Sequence, residues 1–152
     1  MGFPDKIYIV LTYKHDPSDA EFFTEQVGAV RHGDYYRLIH VPAFARNLAV
    51  DDIVKVEFDD DEYHFDELIE ESGNSTLHIV IFKLESKEIL IQTLCDFECG
   101  VNTHVADTYL VVNVSSDIFY QPIQNYLRSE KMLGNIDFRE SCLSRIHARA
   151  QN

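Results

Sequence analysis

The sequence predicts an α+β fold in two parts, a small antiparallel β-sheet or open barrel in residues 1–71 and a mixed unit of strands and helices in residues 72–152. Two observations lead to this prediction. The first part is a series of short segments rich in aromatic and β-branched residues, which is the usual composition of strands. The second part alternates such segments with stretches that repeat apolar residues at helical spacing. We expect the two parts to pack as one compact unit.

The first part contains four predicted strands separated by turn and loop signals. Gly33 in "RHGD" allows the positive φ of a tight turn, and Pro42 ends a strand because it has no N–H to donate. In "IVKVEF" the apolar residues Val54, Val56 and Phe58 alternate with charged ones, which is typical of a half-buried strand. The four predicted strands are residues 7–13, 21–30, 35–41 and 53–58.

The second part begins with "STLHIVIFK", residues 75–83, whose apolar residues on both faces predict a central strand. A helix follows over residues 86–99 with Ser86 as its cap, and a later helix ends before Gly134. The other predicted strands are residues 100–105, 108–114 and 135–141. This β-α-β-β-α-β order is that of the ferredoxin-like fold. The final "RIHARAQN" is predicted to be a basic, frayed tail.

The net charge of −13 is unevenly distributed along the chain. Residues 1–123 carry 8 Lys and Arg against 23 Asp and Glu, a net of −15, whereas residues 124–152 carry 5 against 3, a net of +2. Such a surface repels phosphate backbones and anionic lipid headgroups, so we expect no direct binding to nucleic acid or to a membrane. A basic protein is the complementary partner.

The amino-terminal "MGFPDKIYIVLTY" lacks the basic segment and long apolar run of a signal peptide. Its longest apolar stretch, residues 7–11, is too short to span a membrane. The three cysteines form no close-spaced framework, which fits reduced thiols. The sequence therefore predicts a cytoplasmic protein.

The densest charge lies in "EFDDDEYHFDELIEESGNS", residues 57–75, which holds nine carboxylates and no Lys or Arg. The strand patterns on either side predict a hairpin with an acidic tip at residues 59–62. One interpretation is a solvated turn that keeps a sheet edge from aggregating. The other is an electrostatic docking surface for a basic protein. The candidate partner-binding residues are Glu57, Asp59, Asp60, Asp61, Glu62, Asp66 and Glu67.

The same stretch shows a partial match to an EF-hand calcium loop. Asp59, Asp61 and Glu70 fall at ligand positions of that loop. Tyr63 and His64 occupy the positions that need an oxygen ligand and the glycine of the sharp turn. The pattern therefore favours a hairpin over a calcium site.

The cysteines and histidines show no catalytic pattern. Cys95 and Cys99 are four residues apart on a predicted helix, Cys142 lies elsewhere, and zinc would need His104 or His147 as a further ligand. We expect the cysteines to be buried and apolar. No GxSxG, HExxH or glycine-rich phosphate loop is present. We therefore predict no catalytic residue, metal or cofactor, and an enzyme with a Cys or His pocket is the weakest hypothesis.

Three stretches, "HGDYYRLIHVPAFARNLAVDDIVKVE", "ELIEESGNSTLHIVI" and "RESCLS", together resemble a known family. They are similar, over roughly residues 22–144, to the uncharacterised bacterial family called domain of unknown function 4265. The family pattern has a glycine-turn strand, an N-x-P-F loop, a G-D-V-V strand and an SG-x-S-T element. The chain departs from it at His40, where the family often has Asn, at the inserted Ala43, and at Asp52, which lacks the usual preceding glycine. The family has no assigned catalytic residues, so the resemblance implies a bacterial setting and no mechanism.

A small, acidic bacterial protein of this kind resembles the immunity proteins that neutralise toxins of contact-dependent growth inhibition and related systems. Those toxins are often basic nucleases, and a carboxylate-rich protein can occupy the positive cleft that binds phosphate. We therefore expect a cytoplasmic immunity protein, or antitoxin, with a cognate toxin as its partner. The alternative is a small-molecule-sensing or regulatory module without catalysis, which forms a homodimer through its ferredoxin-like sheets.

Overall fold

The computed structural model describes residues 3–149, which form a mixed α and β structure made mostly of strands. The chain divides after Ser72 into two compact units, residues 1–72 and 73–152. The boundary expected from the sequence, after residue 71, lies one position earlier.

The first unit is a closed five-stranded barrel in which neighbouring strands follow chain order. Its strands are β1 (Lys6–Tyr13), β2 (Phe23–His32), β3 (Tyr35–Leu38), β4 (Ile53–Asp59) and β5 (Glu62–Glu70). Successive strands are antiparallel, whereas β1 and β5 pair in parallel through Ile9 with Tyr63 and Val10 with His64. The predicted antiparallel pairing of successive strands is confirmed, but the barrel is closed rather than open. An odd number of up-and-down strands leaves the first and last strands parallel, and here they meet.

The barrel interior is filled by apolar side chains from all parts of this unit. Ile9, Leu38 and Val54 are fully buried in it. The four strands predicted here are present with shifted ends. The third ends early, at Leu38, because the chain then enters the loop that carries Pro42.

One carboxylate holds the loop between β3 and β4. Glu25, on β2, accepts hydrogen bonds from the backbone N–H groups of Ala43 at 2.9 Å, Phe44 at 2.7 Å and Ala45 at 2.6 Å. Hydrogen bonds to an ionised acceptor are stronger than bonds between neutral groups. The side chain therefore fixes this loop segment and, through it, the position of Arg46.

A second contact joins the loop to β2. The Nδ1 atom of His40 accepts a hydrogen bond from the backbone N–H of Gly28 at 3.0 Å. A Cβ atom at Gly28 would lie 2.7 Å from Cε1 of His40, so a larger residue there would displace the imidazole. The close approach of the His40 ring therefore requires glycine at position 28.

The second unit is a four-stranded sheet with three α-helices within the described residues. Its elements are β6 (Ser75–Ile81), a 3₁₀ helix (Leu84–Ser86), α1 (Lys87–Asp96), β7 (Gly100–Ala106), β8 (Tyr109–Val114), α2 (Gln121–Met132), β9 (Ile136–Cys142) and α3 (Arg145–Arg149). The sheet order is β7-β8-β6-β9, and every neighbouring pair is antiparallel. The prediction that β6 is a central strand is confirmed.

Helices α1 and α2 share a hydrophobic core with the sheet. Leu90 and Leu94 of α1 and Ile123 and Leu127 of α2 are fully buried against sheet residues that include Ile79. Their spacing places each pair on one helical face. No helix among residues 3–149 combines the length and the apolar character needed to cross a membrane.

Two predictions about local structure in this unit are wrong. The Ser86 side chain does not cap α1, because the backbone there is already helical, and its hydroxyl donates instead to the Lys83 carbonyl at 2.7 Å. The predicted frayed tail forms the short helix α3 as far as Arg149. The rest of that tail, residues 150–152, lies outside the described residues.

A buried hydrogen-bond network holds α3 in place. The Ser75 hydroxyl lies 2.6 Å from Nδ1 of His147, and its oxygen accepts the backbone N–H of Ser144 at 2.9 Å. Nε2 of His147 lies 3.0 Å from the Ser115 carbonyl oxygen. A carbonyl only accepts, so Nε2 carries the proton and Nδ1 accepts from Ser75. Ser75 and His147 are 0% and 1% exposed, so these bonds replace those with water.

The two residues before Ser75 complete this arrangement. Gly73 has a φ of 92°, and a Cβ atom there would lie 3.0 Å from side-chain atoms of Ile146 and Ser116. Asn74 Oδ1 accepts the backbone N–H of Ser116 at 3.0 Å. The "SGNST" stretch, where the family resemblance is strongest, therefore has a structural role in the second unit.

Replacing Glu25 by Gln should destabilise the protein by about 1–3 kcal/mol, because a neutral amide offers one weaker acceptor oxygen to three N–H donors. Urea unfolding followed by circular dichroism measures this loss. Glu21→Gln is the matched control, since the Glu21 side chain is exposed and has no partner among the described residues. Equal destabilisation by the two substitutions would contradict the role given to Glu25.

The stability of the protein should fall as the pH decreases below about 6.5. Burial lowers the pKa of His147 below its ordinary value of 6.5, so the unfolded chain takes up this proton first as the pH falls. The stabilisation is complete above the unfolded pKa and is lost progressively below it. His147→Gln keeps a donor and an acceptor but does not titrate. The excess in unfolding free energy of the wild type over the variant should therefore shrink as the pH falls from about 7.5 to about 5. A difference that does not change with pH would refute this prediction.

Candidate functional site

The acidic stretch lies on the hairpin formed by β4 and β5. Asp59 pairs with Glu62 across the strands, which leaves a two-residue turn of Asp60 and Asp61. Both turn residues have positive φ, 52° and 62°. This is the conformation of a type I′ hairpin turn, in which Asn-Gly is the favoured pair. The predicted position of the tip is confirmed, and we call residues 57–67 the acidic hairpin.

The carboxylates of the acidic hairpin have almost no partners within the protein. All seven candidate binding residues are exposed. Asp66 lies 3.7 Å from Nζ of Lys55 in an exposed ion pair, and the other six side chains make no hydrogen bond or ion pair with residues 3–149. Other carboxylates of the barrel are engaged, such as Glu25 with the loop and Asp51 with Arg37 at 2.6 Å. The acidic hairpin therefore carries negative charge that the fold leaves unbalanced.

One face of the acidic hairpin is polar. Glu57 is paired with His64 and Asp59 with Glu62. Alternate residues of a strand lie on the same side, and cross-strand partners share a face. These four side chains therefore form a single surface that continues into the charged turn.

The opposite face is apolar, and its burial decreases toward the tip. Val54 is buried, Val56 is half-buried, and Phe58 is 55% exposed. The prediction of a half-buried strand is wrong at Phe58 because the barrel core reaches only as far as Val56. The Phe58 ring packs on Tyr63 with 4.9 Å between the ring centroids. An exposed aromatic ring beside charged groups is a common anchor in protein interfaces. The sequence did not indicate this role, because the alternation of apolar and charged residues predicts that Phe58 faces the core.

The geometry of the hairpin separates the carboxylates of the calcium-loop pattern. Asp59 lies at the turn, whereas Glu70 lies opposite Ile53 at the far end of β5. Asp59 and Ile53 are six residues apart along β4, so Asp59 and Glu70 are separated by about 20 Å. Within the described part of the chain, no three His, Cys, Asp or Glu side chains form a group that could hold a metal ion.

Two Ser–His pairs have the spacing of a nucleophile and its base but are closed to a substrate. Ser75 with His147 and Ser141 with His78 are each 2.6 Å apart. All four residues are at most 4% exposed. A nucleophile must reach the reacting atom of a bound substrate, so these pairs serve the structure.

The cysteines differ from the expectation that all three are buried. Cys95 is exposed, because Leu90 and Leu94 occupy the core-facing side of α1, whereas Cys99 and Cys142 are buried. Burial, together with the nearby Cys95, raises the pKa of Cys99 to about 11. Its thiol is therefore protonated at neutral pH, and the reactive thiolate is scarce.

The alternative hypothesis is a homodimer that forms through the sheet of the second unit. This hypothesis depends on how exposed the free face of that sheet is. On the side away from the helical core, Thr76, His78, Val111 and Ser141 are already buried within the single chain. Val80 is 41% exposed. Asn102 and Asp137, which pair with Val111 and Val80 on this face, are also exposed, so accessible side chains remain at both edges of the sheet.

The chain is similar to one family of proteins and to a solved structure. The family model described as Domain of unknown function (DUF4265) matches residues 25–138. A crystal structure of a hypothetical protein from Neisseria gonorrhoeae is similar with a TM-score of 0.81 and 26% sequence identity, over 94% of this chain and 99% of that one. No curated protein matches the chain. Since the family model covers most of its length, the chain belongs to the domain of unknown function 4265 family.

Proposed function

We propose that this protein is a cytoplasmic immunity protein, or antitoxin, that binds a cognate toxin through the acidic hairpin. The toxin is expected to be a basic nuclease of a contact-dependent growth inhibition or similar system, and the hairpin to cover its positive cleft. Phe58 is the apolar anchor of the contact. The charged contacts are Glu57, Asp59, Asp60, Asp61, Glu62, Asp66 and Glu67.

The observation that supports this proposal most is the Asp60-Asp61 turn. Asn-Gly adopts the required positive φ more readily, and unpaired carboxylates on neighbouring residues repel one another. Both features cost stability, and the described structure provides no cation that offsets them at the tip. Sequences break local structural rules mainly at functional sites. Lys and Arg side chains of a partner would relieve the repulsion.

The shape of the site also fits rapid capture of a basic protein. A concentrated patch of one sign steers association toward about 10⁸–10⁹ M⁻¹s⁻¹ at low salt. Electrostatic attraction alone raises the association rate more than it raises the affinity. The exposed ring of Phe58 supplies apolar contact area, which slows dissociation once the two proteins meet.

We also propose that the second unit is ferredoxin-like. Its element order of β6-α1-β7-β8-α2-β9 and its antiparallel sheet support this assignment. That fold hosts many unrelated functions and therefore favours neither toxin binding nor ligand sensing. The alternative of a sensing dimer is the weaker proposal, because central residues of the sheet face that it needs, Thr76, His78 and Val111, are buried.

Neutralising the tip by Asp59→Asn, Asp60→Asn, Asp61→Asn and Glu62→Gln should slow association with the toxin encoded by the neighbouring gene by about tenfold at low salt. The physical reason is the loss of long-range attraction between the tip and the positive cleft. Surface plasmon resonance over a series of NaCl concentrations measures both rates. The wild-type association rate should fall steeply with salt, and that of the variant much less.

The matched control removes four carboxylates from the second unit. Their side chains are exposed and make no hydrogen bond or ion pair with the described part of the chain. The control substitutions are Glu85→Gln, Glu88→Gln, Glu98→Gln and Asp107→Asn. An equal loss of rate would show that only net charge matters and that the contact surface is wrong. A neighbourhood without a toxin gene, or no complex on co-expression, would contradict the proposed role itself.

Replacing Asp60-Asp61 by Asn-Gly should stabilise the protein by about 0.5–1 kcal/mol, because this pair suits the turn and removes like charges. The same change should weaken toxin binding. Thermal unfolding measures the first effect and titration calorimetry the second. A more stable variant that binds as tightly as wild type would show that the tip is only a solvated turn.

A further inference from the structure

We propose that a cleft at the end of β1 is a binding site for a small phosphorylated metabolite. The cleft belongs entirely to the first unit and is separate from the acidic hairpin. Its lining residues are Thr12, Tyr13, Lys14, Pro17, Arg46 and Asn47.

Cationic residues are scarce in this unit, and two of them, Lys14 and Arg46, line the cleft. Residues 1–72 contain 6 Lys and Arg against 17 Asp and Glu, a net charge of −11. Three of the six are already engaged. Arg31 donates to two backbone carbonyls, and Arg37 and Lys55 pair with carboxylates. The cleft therefore concentrates positive charge in a strongly negative unit.

The groups in the cleft match the needs of a phosphate. Arg46 has no hydrogen bond or ion pair with residues 3–149. The Lys14 ammonium lies 4.5 Å from the ring centroid of Phe22, a contact that does not use its N–H donors. Thr12 adds a hydroxyl and Asn47 an amide. Two cations with neutral donors beside them are the combination that binds a phosphate group.

The fold positions the backbone around the cleft before any ligand arrives. Arg46 follows the loop segment that the Glu25 carboxylate binds through three N–H groups. Tyr13, in the wall of the cleft, stacks on Phe44 with 5.4 Å between centroids and 15° between planes. Asn47 has a φ of 67°, a left-handed conformation that asparagine adopts more readily than most residues and that fixes the backbone at this corner of the cleft. A preorganised site binds with a smaller loss of entropy.

Two carboxylates lie near residues of the cleft and limit what can bind. Asp16 accepts the Ser18 N–H at 2.9 Å and the Ser18 hydroxyl at 2.7 Å, and these bonds, with a smaller effect of Arg46, lower the pKa of Asp16. Glu25 lies close to Tyr13, and burial together with this carboxylate raises the pKa of the Tyr13 phenol. These anions and the net charge of −13 oppose a polyanion. A small molecule with one phosphate is therefore the ligand class that fits, rather than a nucleic acid.

Titration of ¹⁵N-labelled protein with inorganic phosphate, at ionic strength held constant with NaCl, tests the site. Saturable NMR shifts are expected at the amides of Thr12, Lys14 and Asn47, with a Kd of about 1 mM or below. Glucose 6-phosphate, as the second probe, should bind more tightly. If glucose 6-phosphate bound no more tightly than inorganic phosphate, the assignment to a phosphorylated metabolite would be overturned. If neither probe caused saturable shifts, the proposed site itself would be overturned.

Single substitutions separate the cleft from general electrostatics. Arg46→Gln and Lys14→Gln should each weaken phosphate binding about tenfold, and Asp16→Asn should strengthen it about threefold. Lys6→Gln is the matched control, because Lys6 is an exposed lysine at the start of β1 and lies outside the cleft. Phosphate affinity should not change in this control. An equal loss in Lys6→Gln and Arg46→Gln would overturn the proposal.

Discussion

The parallel pairing of β1 with β5 is the constraint on which the first unit depends. It joins Ile9 to Tyr63 and Val10 to His64, directly after the acidic turn. A two-stranded hairpin alone is marginal in water. Here the pairing fixes the charged end of the hairpin to a barrel with a buried core. The acidic hairpin is therefore a preorganised surface, which a partner can bind without first ordering it.

The carboxylates of the barrel divide into two groups by what they contact. Glu25 accepts three backbone N–H groups, and the buried Asp52 accepts those of Ala49 and Ser72 at 2.9 and 2.8 Å. Burial raises the pKa of Asp52 in spite of these bonds. Such carboxylates stabilise loops that would otherwise have unpaired amides. The carboxylates of the acidic hairpin do not stabilise a loop in this way. The stability of the fold therefore does not explain why so many of them lie together.

The sequence predicted the features that depend on local pattern. Period-two alternation and glycine or proline signals predict most strands, and the motifs that resemble the family are visible in the sequence itself. Closure of the barrel was missed because it depends on a pairing between distant strands. The helix α3 was missed for the same reason, since His147 is held by Ser75, 72 residues away in the sequence.

The candidate site was predictable in its charge and not in its apolar part. The acidic residues from Asp59 to Glu62 predict the charged tip from the sequence alone, because a run of like charges is visible there. Phe58 follows the same alternation as the buried Val54, and only the extent of the core shows that it is exposed. The cleft of Lys14 and Arg46 joins positions 32 residues apart in the sequence, so no local pattern reveals it.

The hairpin and the cleft are physically linked because both use β1. Val10 pairs with His64, two residues beyond Glu62, and Tyr13, three residues further in the same direction, lines the cleft, so the tip and the cleft are about five strand steps, or about 17 Å, apart. A bound phosphate would neutralise Lys14 and Arg46 and make this side of the unit more negative. The Debye length in physiological salt is about 8 Å, so the effect at the tip is weakened but keeps its sign. Because coupling between two binding sites is reciprocal, a basic partner on the hairpin and an anion in the cleft should each favour the binding of the other.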